Sequence, residues 1–398
     1  MNLFALRSHN TALVLDLLRT AGVRGISRLE LADRTGLTPQ AVSKITARLR
    51  EDGLAAEAGR RASTGGKPRT VLRLVPEAGH AAGVHLDRDE LRTVLVDLTG
   101  TVVGERRAPL DLGAGADAVL TAVTRETTAL VTDTLGPAAA APFGPTGPDA
   151  LGPAATDPLG SPATGSLGPA VTGSLAAADT LLGLGVALPG PLDHTRGVLH
   201  RVTGFPEWDG FALRDALARR VGVPVVVDKD TNAAALELAV RGEGGSFAYL
   251  HLGTGLGAGL VIGGSVHRGA RTGAGEFGHQ VIQLDGPVCG CGNRGCVEVL
   301  CLGAVARGEL AEAARVLGEG AANLVGLLDI DLVLLGGRTV AADPSPFVRG
   351  VAAVLAARAR RAGGREGVPV RVASGGVRGV AEGAAQLLLA PLFGRGDG

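Results

Sequence analysis

Four cysteines occur in this 398-residue chain, and all lie between positions 289 and 301. Cys289, Cys291 and Cys296 follow His279 in the run Cys289-Gly290-Cys291-Gly292-Asn293-Arg294-Gly295-Cys296. Three thiolates and an imidazole make a complete tetrahedral set for Zn2+, and the intervening glycines let the backbone turn tightly around an ion. A closed set of four leaves no position for water, so the expectation is a structural zinc held by His279, Cys289, Cys291 and Cys296. Cys301, in an apolar helical stretch, reads as a buried core residue. Bunching this local does not make the distributed disulfide framework of a secreted chain; it points to a reducing compartment, the cytoplasm.

A second set of residues has types and spacing suited to nucleic acid. Residues 1–75 read as a small helical module with a terminal hairpin: helices from about Ser8 to Thr20, Ser27 to Arg34 and Thr38 to Glu51. The second opens on the capping box Ser27-Arg28-Leu29-Glu30 and stops at Gly36; in the third, Thr38 is the N-cap, Pro39 the first helical residue, and Gly53 suits the position just past the end. Val42, Ile45 and Leu49 form the buried stripe of that third helix, which turns Gln40, Lys44 and Ala47 outward, with Ser43 and Arg48 at the flanks. A Gly65-Gly66 tip then lets a hairpin project Lys67 and Arg69, ahead of an alternating strand from Thr70 to Val75. This is the pattern of a winged helix-turn-helix. It predicts that Thr38, Gln40, Ser43, Lys44 and Arg48 meet the major groove or flanking phosphates, and that Lys67 and Arg69 meet the minor groove or backbone.

Charge supports that expectation once it is divided. The chain holds 39 Lys+Arg and 39 Asp+Glu, but residues 1–75 hold 13 against 6 and the remainder 26 against 33, so a +7 end sits on a −7 body. With 45% hydrophobic residues and aperiodic glycine, collagen and a wholly disordered chain are excluded. The opening residues Met1-Asn2-Leu3-Phe4, soon reaching Arg7 and Asp16, lack the features of a cleaved leader. The uncharged stretch 158–178 is too rich in Gly, Pro, Ser and Thr to enter lipid, so no membrane partner is expected.

From His80 the pattern becomes strand and helix. Strands are expected near Ala81–Leu86, Arg92–Asp97, Thr101–Arg107, Gly183–Leu188, Val223–Asp228, Ala248–Leu252, Leu256–Ile262 and Asp331–Leu335, with helices at Asp117–Leu135 and Ala212–Val221. Residues 136–175 stand apart: 25 of the 40 are Gly, Ala or Pro, and Leu151-Gly152-Pro153-Ala154-Ala155-Thr156 returns as Leu167-Gly168-Pro169-Ala170-Val171-Thr172. So few large apolar side chains predict a disordered surface insertion. The division expected is a winged helix at 1–75 and a two-lobed α/β body at 76–398 interrupted by that insertion.

Gly275-Glu276-Phe277-Gly278-His279 followed by Cys-x-Cys-Gly-x-x-Gly-Cys-x-Glu closely resembles the ROK family of repressors and sugar kinases. Similar too are Gly185-Val186-Ala187-Leu188-Pro189-Gly190-Pro191, Asp230-Thr231-Asn232-Ala233-Ala234, Leu252-Gly253-Thr254-Gly255-Leu256-Gly257-Ala258-Gly259 and Leu334-Leu335-Gly336-Gly337. The resemblance runs through nearly the whole chain apart from the insertion. It implies the two-lobed actin-like ATPase (ribonuclease H-like) sugar-kinase fold, with a sugar in the cleft. Asp230 matches the kinase general base; Glu276, His279 and Glu298 match sugar-binding positions. Carboxylates are acceptors suited to vicinal hydroxyls, although Glu298 could instead cap its helix and Asp230 bond nearby backbone. Lys229 stands where the kinases have Asn, which permits donation to a sugar oxygen but not acceptance. Gly204 stands at a further sugar-binding position where the family usually has Asn.

The largest departure is at the first phosphate loop. Kinases of the family place Asp-x-Gly-Gly-Thr there; this chain has His85-Leu86-Asp87-Arg88-Asp89. Both glycines are lost, and each new carboxylate would repel a phosphate by up to about 4 kcal/mol at 4 Å and an effective dielectric of 20. Phosphoryl transfer rests on positioning and electrostatics, so turnover is expected to be lost and no catalytic residue is expected to act. The expected function is a DNA-binding transcriptional repressor responsive to a sugar or sugar derivative, acting as a homodimer or dimer of dimers on operator DNA. The alternative is an active ATP-dependent, glucokinase-like sugar kinase carrying a DNA-binding module.

Overall fold

The computed structural model describes residues 8–61, 69–140, 180–200, 202, 205–364 and 366–395. Helix α1 (His9–Ala21) starts on Ser8, whose hydroxyl accepts the Thr11 N–H. Strand β1 (Ile26–Ser27) leads into α2 (Arg28–Thr35) through the capping box: Ser27 N–H donates to Glu30 Oε2 at 2.8 Å, and Glu30 N–H to Ser27 Oγ at 3.3 Å. Gly36 ends α2 at φ +69°. Helix α3 (Pro39–Glu51) is capped by Thr38, and β2 (Ala55–Arg61) pairs antiparallel with β3 (Arg69–Leu74) in a three-stranded sheet ordered β1-β3-β2. The buried residues of α3 are Val42, Thr46 and Leu49; Ile45 is only half-buried. Spacing i, i+4, i+7 keeps Thr46 on the stripe, and its hydroxyl is satisfied within the helix by Val42 O at 2.8 Å, so a polar residue fills a core position.

Two five-stranded sheets follow. The first comprises β4 (His80–Leu86), β5 (Glu90–Asp97), β6 (Val102–Pro109), β7 (Leu181–Leu188) and β10 (Val225–Lys229), in the order β10-β7-β4-β5-β6, with β4, β7 and β10 parallel and β5 and β6 antiparallel. Helices α4 (Ala116–Leu135) and α5 (Leu213–Val221) belong to this lobe, as does the small ribbon of β8 (Leu192–Asp193) and β9 (Val198–Leu199). The second sheet comprises β11 (Phe247–Leu252), β12 (Leu256–Ile262), β13 (Ser265–Val266), β14 (Leu332–Gly336) and β15 (Val370–Val372), in the order β13-β12-β11-β14-β15. Helices α6 (Asp230–Val240), α7 (Val297–Ala306), α8 (Leu310–Leu328), α9 (Arg338–Ala342), α10 (Pro344–Arg361) and α11 (Gly379–Leu389) complete the chain. Each lobe thus opens on an antiparallel hairpin, with turns at 87–89 and 253–255.

Helix α11 packs on α6 and on the first sheet, and glycine makes both contacts possible. A Cβ on Gly185 would lie 1.8 Å from Ala384 O, and one on Gly383 would lie 1.9 Å from Ala233 O. The 3-10 turn after α11 (Ala390–Phe393) docks on α1: Arg19 stacks over the Phe393 ring at 4.9 Å, and Arg395 pairs with Asp16 at 3.0 Å. One apolar cluster therefore joins Val14, Leu15 and Leu18 of the winged helix to Ala381, Ala385, Leu388 and Phe393.

Most of the expected 136–175 insertion lies outside the described residues. Its first five residues do not: among them Ala139 and Ala140 are buried in the core of the first lobe, against the expectation of a surface insertion from 136 onward. Among the described residues, no helix is long and apolar enough to cross a membrane.

Candidate sugar cleft, metal centre and DNA-facing helix

Between the lobes lies a cleft of about 640 Å3, lined by Lys229, Asp230, Glu276, His279 and Glu298 together with Asp87, Arg88, Thr254 and Gly255. Residues separated by more than 200 positions meet there because the two hairpin turns, the β10–α6 junction and the start of α7 all end at the same place. Gly204, Lys67 and most of the expected wing lie outside the described residues.

Asp230 is the first residue of α6 and half-buried; its Oδ1 accepts the N–H of Thr231 at 2.6 Å, while Oδ2 has no partner among the described residues. Glu298 does not cap α7. Its Oε2 accepts the N–H of Leu256 at 2.8 Å, fixing the end of the β11–β12 turn. Lys229 is almost fully buried and its ammonium is already engaged by Glu276 Oε1 at 3.1 Å and by the Ala274 carbonyl. Its principal role in the structure is to orient Glu276, a use that sequence spacing across 47 residues does not disclose.

The first hairpin turn is tied to the second lobe. Asp87 Oδ1 accepts from the Arg88 N–H at 2.8 Å and from the Thr254 hydroxyl at 2.8 Å, and Asp89 accepts Arg338 Nη1 at 3.0 and 2.9 Å. Burial raises the Asp87 carboxyl, but His85, these hydrogen bonds and Arg338 outweigh it and hold the group below its ordinary value. A larger cavity of about 1130 Å3 adjoins the cleft at Asp87 and His251 and is also lined by His85, Tyr249 and Gly336 to Arg338. In its wall Tyr249 Oη lies 2.9 Å from His251 Nδ1, and the His251 ring meets His85 edge-on at 6.4 Å. Burial lowers the His85 pKa, against the pull of Asp230 and Asp87, and its Nε2 has no hydrogen-bond partner among the described residues.

His279, Cys289, Cys291 and Cys296 converge, with their ligand atoms all within 4.8 Å of one another. Cys289 Sγ lies 3.7 Å from His279 Nδ1, and Cys291 Sγ lies 3.7 Å from Cys296 Sγ. Those are edge lengths of a tetrahedron around an ion with metal–sulfur bonds of about 2.3 Å, so the donor set fits zinc in both chemistry and geometry. Backbone bonds from Cys289 N to Asn293 O and from Gly292 N to Cys289 O shape the loop, and Gly292 at φ +93° makes its turn. Cys296 is the N-cap residue of α7, so the loop leads directly to Glu298. Cys301 is buried in the second-lobe core and lies outside the cluster; burial, with the Glu298 charge, pushes its thiol up to about 12.

On α3, Gln40, Ser43, Lys44 and Arg48 are exposed, as is the N-cap Thr38. Arg69 at the start of β3 is exposed as well. Arg48 also makes a long contact with Asp52 at 3.8 Å, a surface pair of little energetic weight that leaves the guanidinium accessible.

These elements define a class: a winged helix-turn-helix fused to a two-lobed sugar-kinase-type domain with a Cys/His cluster beside its cleft. A model described as "ROK family" matches residues 164–308, and one described as "Winged helix-turn-helix DNA-binding" matches residues 24–55. The similarity to the ROK family thus lies behind the similarity to a winged helix-turn-helix, in the order the fold shows. It is 26% identical over 359 residues to a putative xylose repressor of Caldicellulosiruptor sp. (strain Rt8B.4), covering 79% of this chain and 80% of that one. It is 28% identical over 276 residues to the xylose repressor of Caldicellulosiruptor bescii, covering 69% of this chain but only 59% of that relative. Over 121 residues it is 39% identical to the glucokinase of Thermotoga maritima, 29% of this chain and 38% of that one. Among solved structures, a ROK family transcriptional regulator described as a homologue of the E. coli MLC protein superposes with a TM-score of 0.69 at 20% identity, covering 97% of both chains. The ROK hexokinase of Thermus thermophilus superposes at 0.55 and 26% identity, covering 77% of this chain and 96% of that one.

Proposed function

We propose that this chain is a DNA-binding transcriptional repressor whose kinase-like body senses a sugar or sugar derivative. The observation that carries the reading is the exposed face of α3, Gln40, Ser43, Lys44 and Arg48, on a winged helix whose core is continuous with the sensor body. One such helix reads only a few base pairs, so two copies would bind a palindromic operator as a homodimer or dimer of dimers. Thr38, Lys67 and Arg69 would add phosphate contacts that make binding salt-dependent.

In the body, Asp230, Glu276, His279 and Glu298 are suited to accept or share hydroxyl protons of a bound sugar, with Lys229 bordering it. His279, Cys289, Cys291 and Cys296 would hold a structural zinc, which supplies rigidity to the loop leading into α7. Helix α11 supplies a path for coupling: Gly379 and Val380 line the larger cavity, and the far end abuts α1. A sugar that binds the closed lobes better than the open ones would bias that helix and, through it, the spacing of paired winged helices. The reducing cytoplasm is the compartment in which such thiols and DNA would meet.

The glucokinase relative and the retained Asp230 favour one other reading, an ATP-dependent sugar kinase. Against it, the turns that would approach the triphosphate are occupied by the Asp87–Thr254 and Asp89–Arg338 contacts. Selection of duplexes from a random pool by the purified protein tests the main reading. Recovery of a recurring palindrome is the expected result; recovery of no recurring sequence would overturn it.

A further inference from the structure

The sugar cleft contains one cation that nothing among the described residues neutralises. Lys229 is paired with Glu276, and the arginines lining the adjoining cavity are paired as well: Arg92 with Glu90 and Glu105, Arg107 with Glu90, and Arg338 with Asp89. Arg88 is different. Its backbone N–H bonds Asp87 Oδ1 and its carbonyl accepts from Leu112 N, but its guanidinium makes no ion pair or hydrogen bond among the described residues. That guanidinium lines the cleft, half-buried, with its carbon 5.8 Å from the Phe205 ring centroid of the first lobe. The absence of a side chain at Gly255 leaves the space beside it open: a Cβ there would stand 3.5 Å from Arg88 Nη2 and 3.2 Å from Glu298 Oε2.

The other charges of the cleft are committed in ways that leave Arg88 for a ligand. Asp87 is held by Thr254, Glu276 by Lys229 and one oxygen of Glu298 by the Leu256 N–H. Asp230 keeps one oxygen without a partner among the described residues, an acceptor for a hydroxyl but a repellent for an anion placed beside it. An acceptor for hydroxyls and a donor for an anion, unpaired among the described residues, thus line one cavity. A partly desolvated guanidinium presents a planar fork of N–H donors whose natural complement is a carboxylate or phosphate.

We infer that the effector is a monosaccharide bearing an anionic group, a phosphate ester or a carboxylate, and that Arg88 selects it. The inference rests on the reading of this cleft as a sugar sensor and adds the chemical class of its ligand. Arg88 acts at the ligand itself, so its replacement changes the preference between charged and neutral forms of one sugar.

Titration calorimetry on the full-length protein tests this with matched sets: D-glucose, D-glucose 6-phosphate and D-glucuronate; D-xylose and D-xylonate; N-acetyl-D-glucosamine and its 6-phosphate. At least one charged form is expected to bind about tenfold or more tighter than its neutral parent, with the phosphate and carboxylate arms distinguishing the two sources of charge. Arg88→Gln is expected to bring that ratio to within about threefold, and Arg88→Lys to leave it between the two, since an ammonium keeps the charge but not the planar fork. Failure of every charged form to bind more tightly than its neutral parent would overturn the inference, as would an unchanged ratio in Arg88→Gln. If no sugar of either kind binds, the sensor reading fails and takes the inference with it; if only neutral sugars bind, the sensor reading stands and this inference alone fails.

Discussion

Thr254 donates its hydroxyl across the cleft to Asp87 at 2.8 Å, joining the turn of one lobe to the turn of the other. Two residues on, Asp89 takes both of its oxygens to Arg338. The second contact is an exposed ion pair contributing about 0–1 kcal/mol, and the first, made to a half-buried carboxylate, about 1.5–3 kcal/mol. Their importance is positional: they fill the ground between the hairpin turns that a triphosphate would need. Millimolar Mg-ATP is therefore expected to leave the melting temperature unchanged. A ligand present at about 100 times its dissociation constant stabilises by about 2.7 kcal/mol, or about 4–5 °C in a body of this size, so a retained nucleotide site would be plain in a thermal melt.

Metal analysis of the purified chain is expected to find about one zinc per polypeptide, and Cys291→Ser to lose it. Because the loop ends on the residue that caps α7, and α7 carries Glu298 to the Leu256 N–H, the same variant is expected to weaken sugar binding about 10- to 100-fold. Calorimetry with sugar on the zinc-loaded and zinc-stripped proteins checks this; equal affinities would separate the metal loop from the cleft.

How much of this was legible beforehand differs by the range of the interaction. The capping box at Ser27 and Glu30, the stop at Gly36 and the cysteine–histidine spacing are local, and each appears in the structure where its own sequence places it. The stripe of α3 was legible except at one residue: Ile45 outranks Thr46 in hydrophobicity, but only helix geometry and an intrahelical hydroxyl bond show that Thr46 is the buried one. Contacts such as Lys229 with Glu276, Glu298 with Leu256 and Arg338 with Asp89 span 47, 42 and 249 residues. Nothing in a single chain read linearly brings such pairs together. The glycines of β7 and α11 carried a usable signal, since glycine inside an element marks close backbone approach, and Gly185 and Gly383 mark where α11 lies.

Acid is expected to destabilise the body partly through His85. Burial holds its folded imidazole below the ordinary value of 6.5, although Asp230 and Asp87 pull upward, so the unfolded chain binds the proton more readily. Stability from this group is complete above about pH 6.5 and is lost as pH falls through that value toward the folded one. Between about pH 7.5 and about pH 5.5, His85→Gln is expected to lose less stability than the wild-type chain, by up to about 1.4 kcal/mol per pH unit. Denaturant melts at the two pH values measure the difference, and equal losses would show that His85 does not titrate on unfolding.

Phe393 and Arg395 hold the end of α11 against α1 through the Arg19 stack and the Asp16 pair. Removing both side chains, as Phe393→Ala with Arg395→Ala, deletes a buried aromatic contact of a kind that costs about 3–5 kcal/mol in a core. Hydrogen exchange in α1 is expected to quicken at least about tenfold while β4 and β7 keep their protection. In the same variant a sugar should still bind but should no longer alter DNA affinity. Unchanged exchange in α1 would show that the docked end of α11 does not support the winged helix.

The central claim is that the +7 winged helix reads DNA sequence under the control of the cleft. Fluorescence anisotropy with a duplex recovered by selection, against a scrambled duplex of equal length, tests it most directly. The recovered duplex is expected to bind about 1000-fold or more tighter at physiological salt, Lys44→Ala to lower the salt slope by about one, and an effector sugar to change operator affinity about tenfold. Equal affinity for the two duplexes, with or without sugar, would contradict the account.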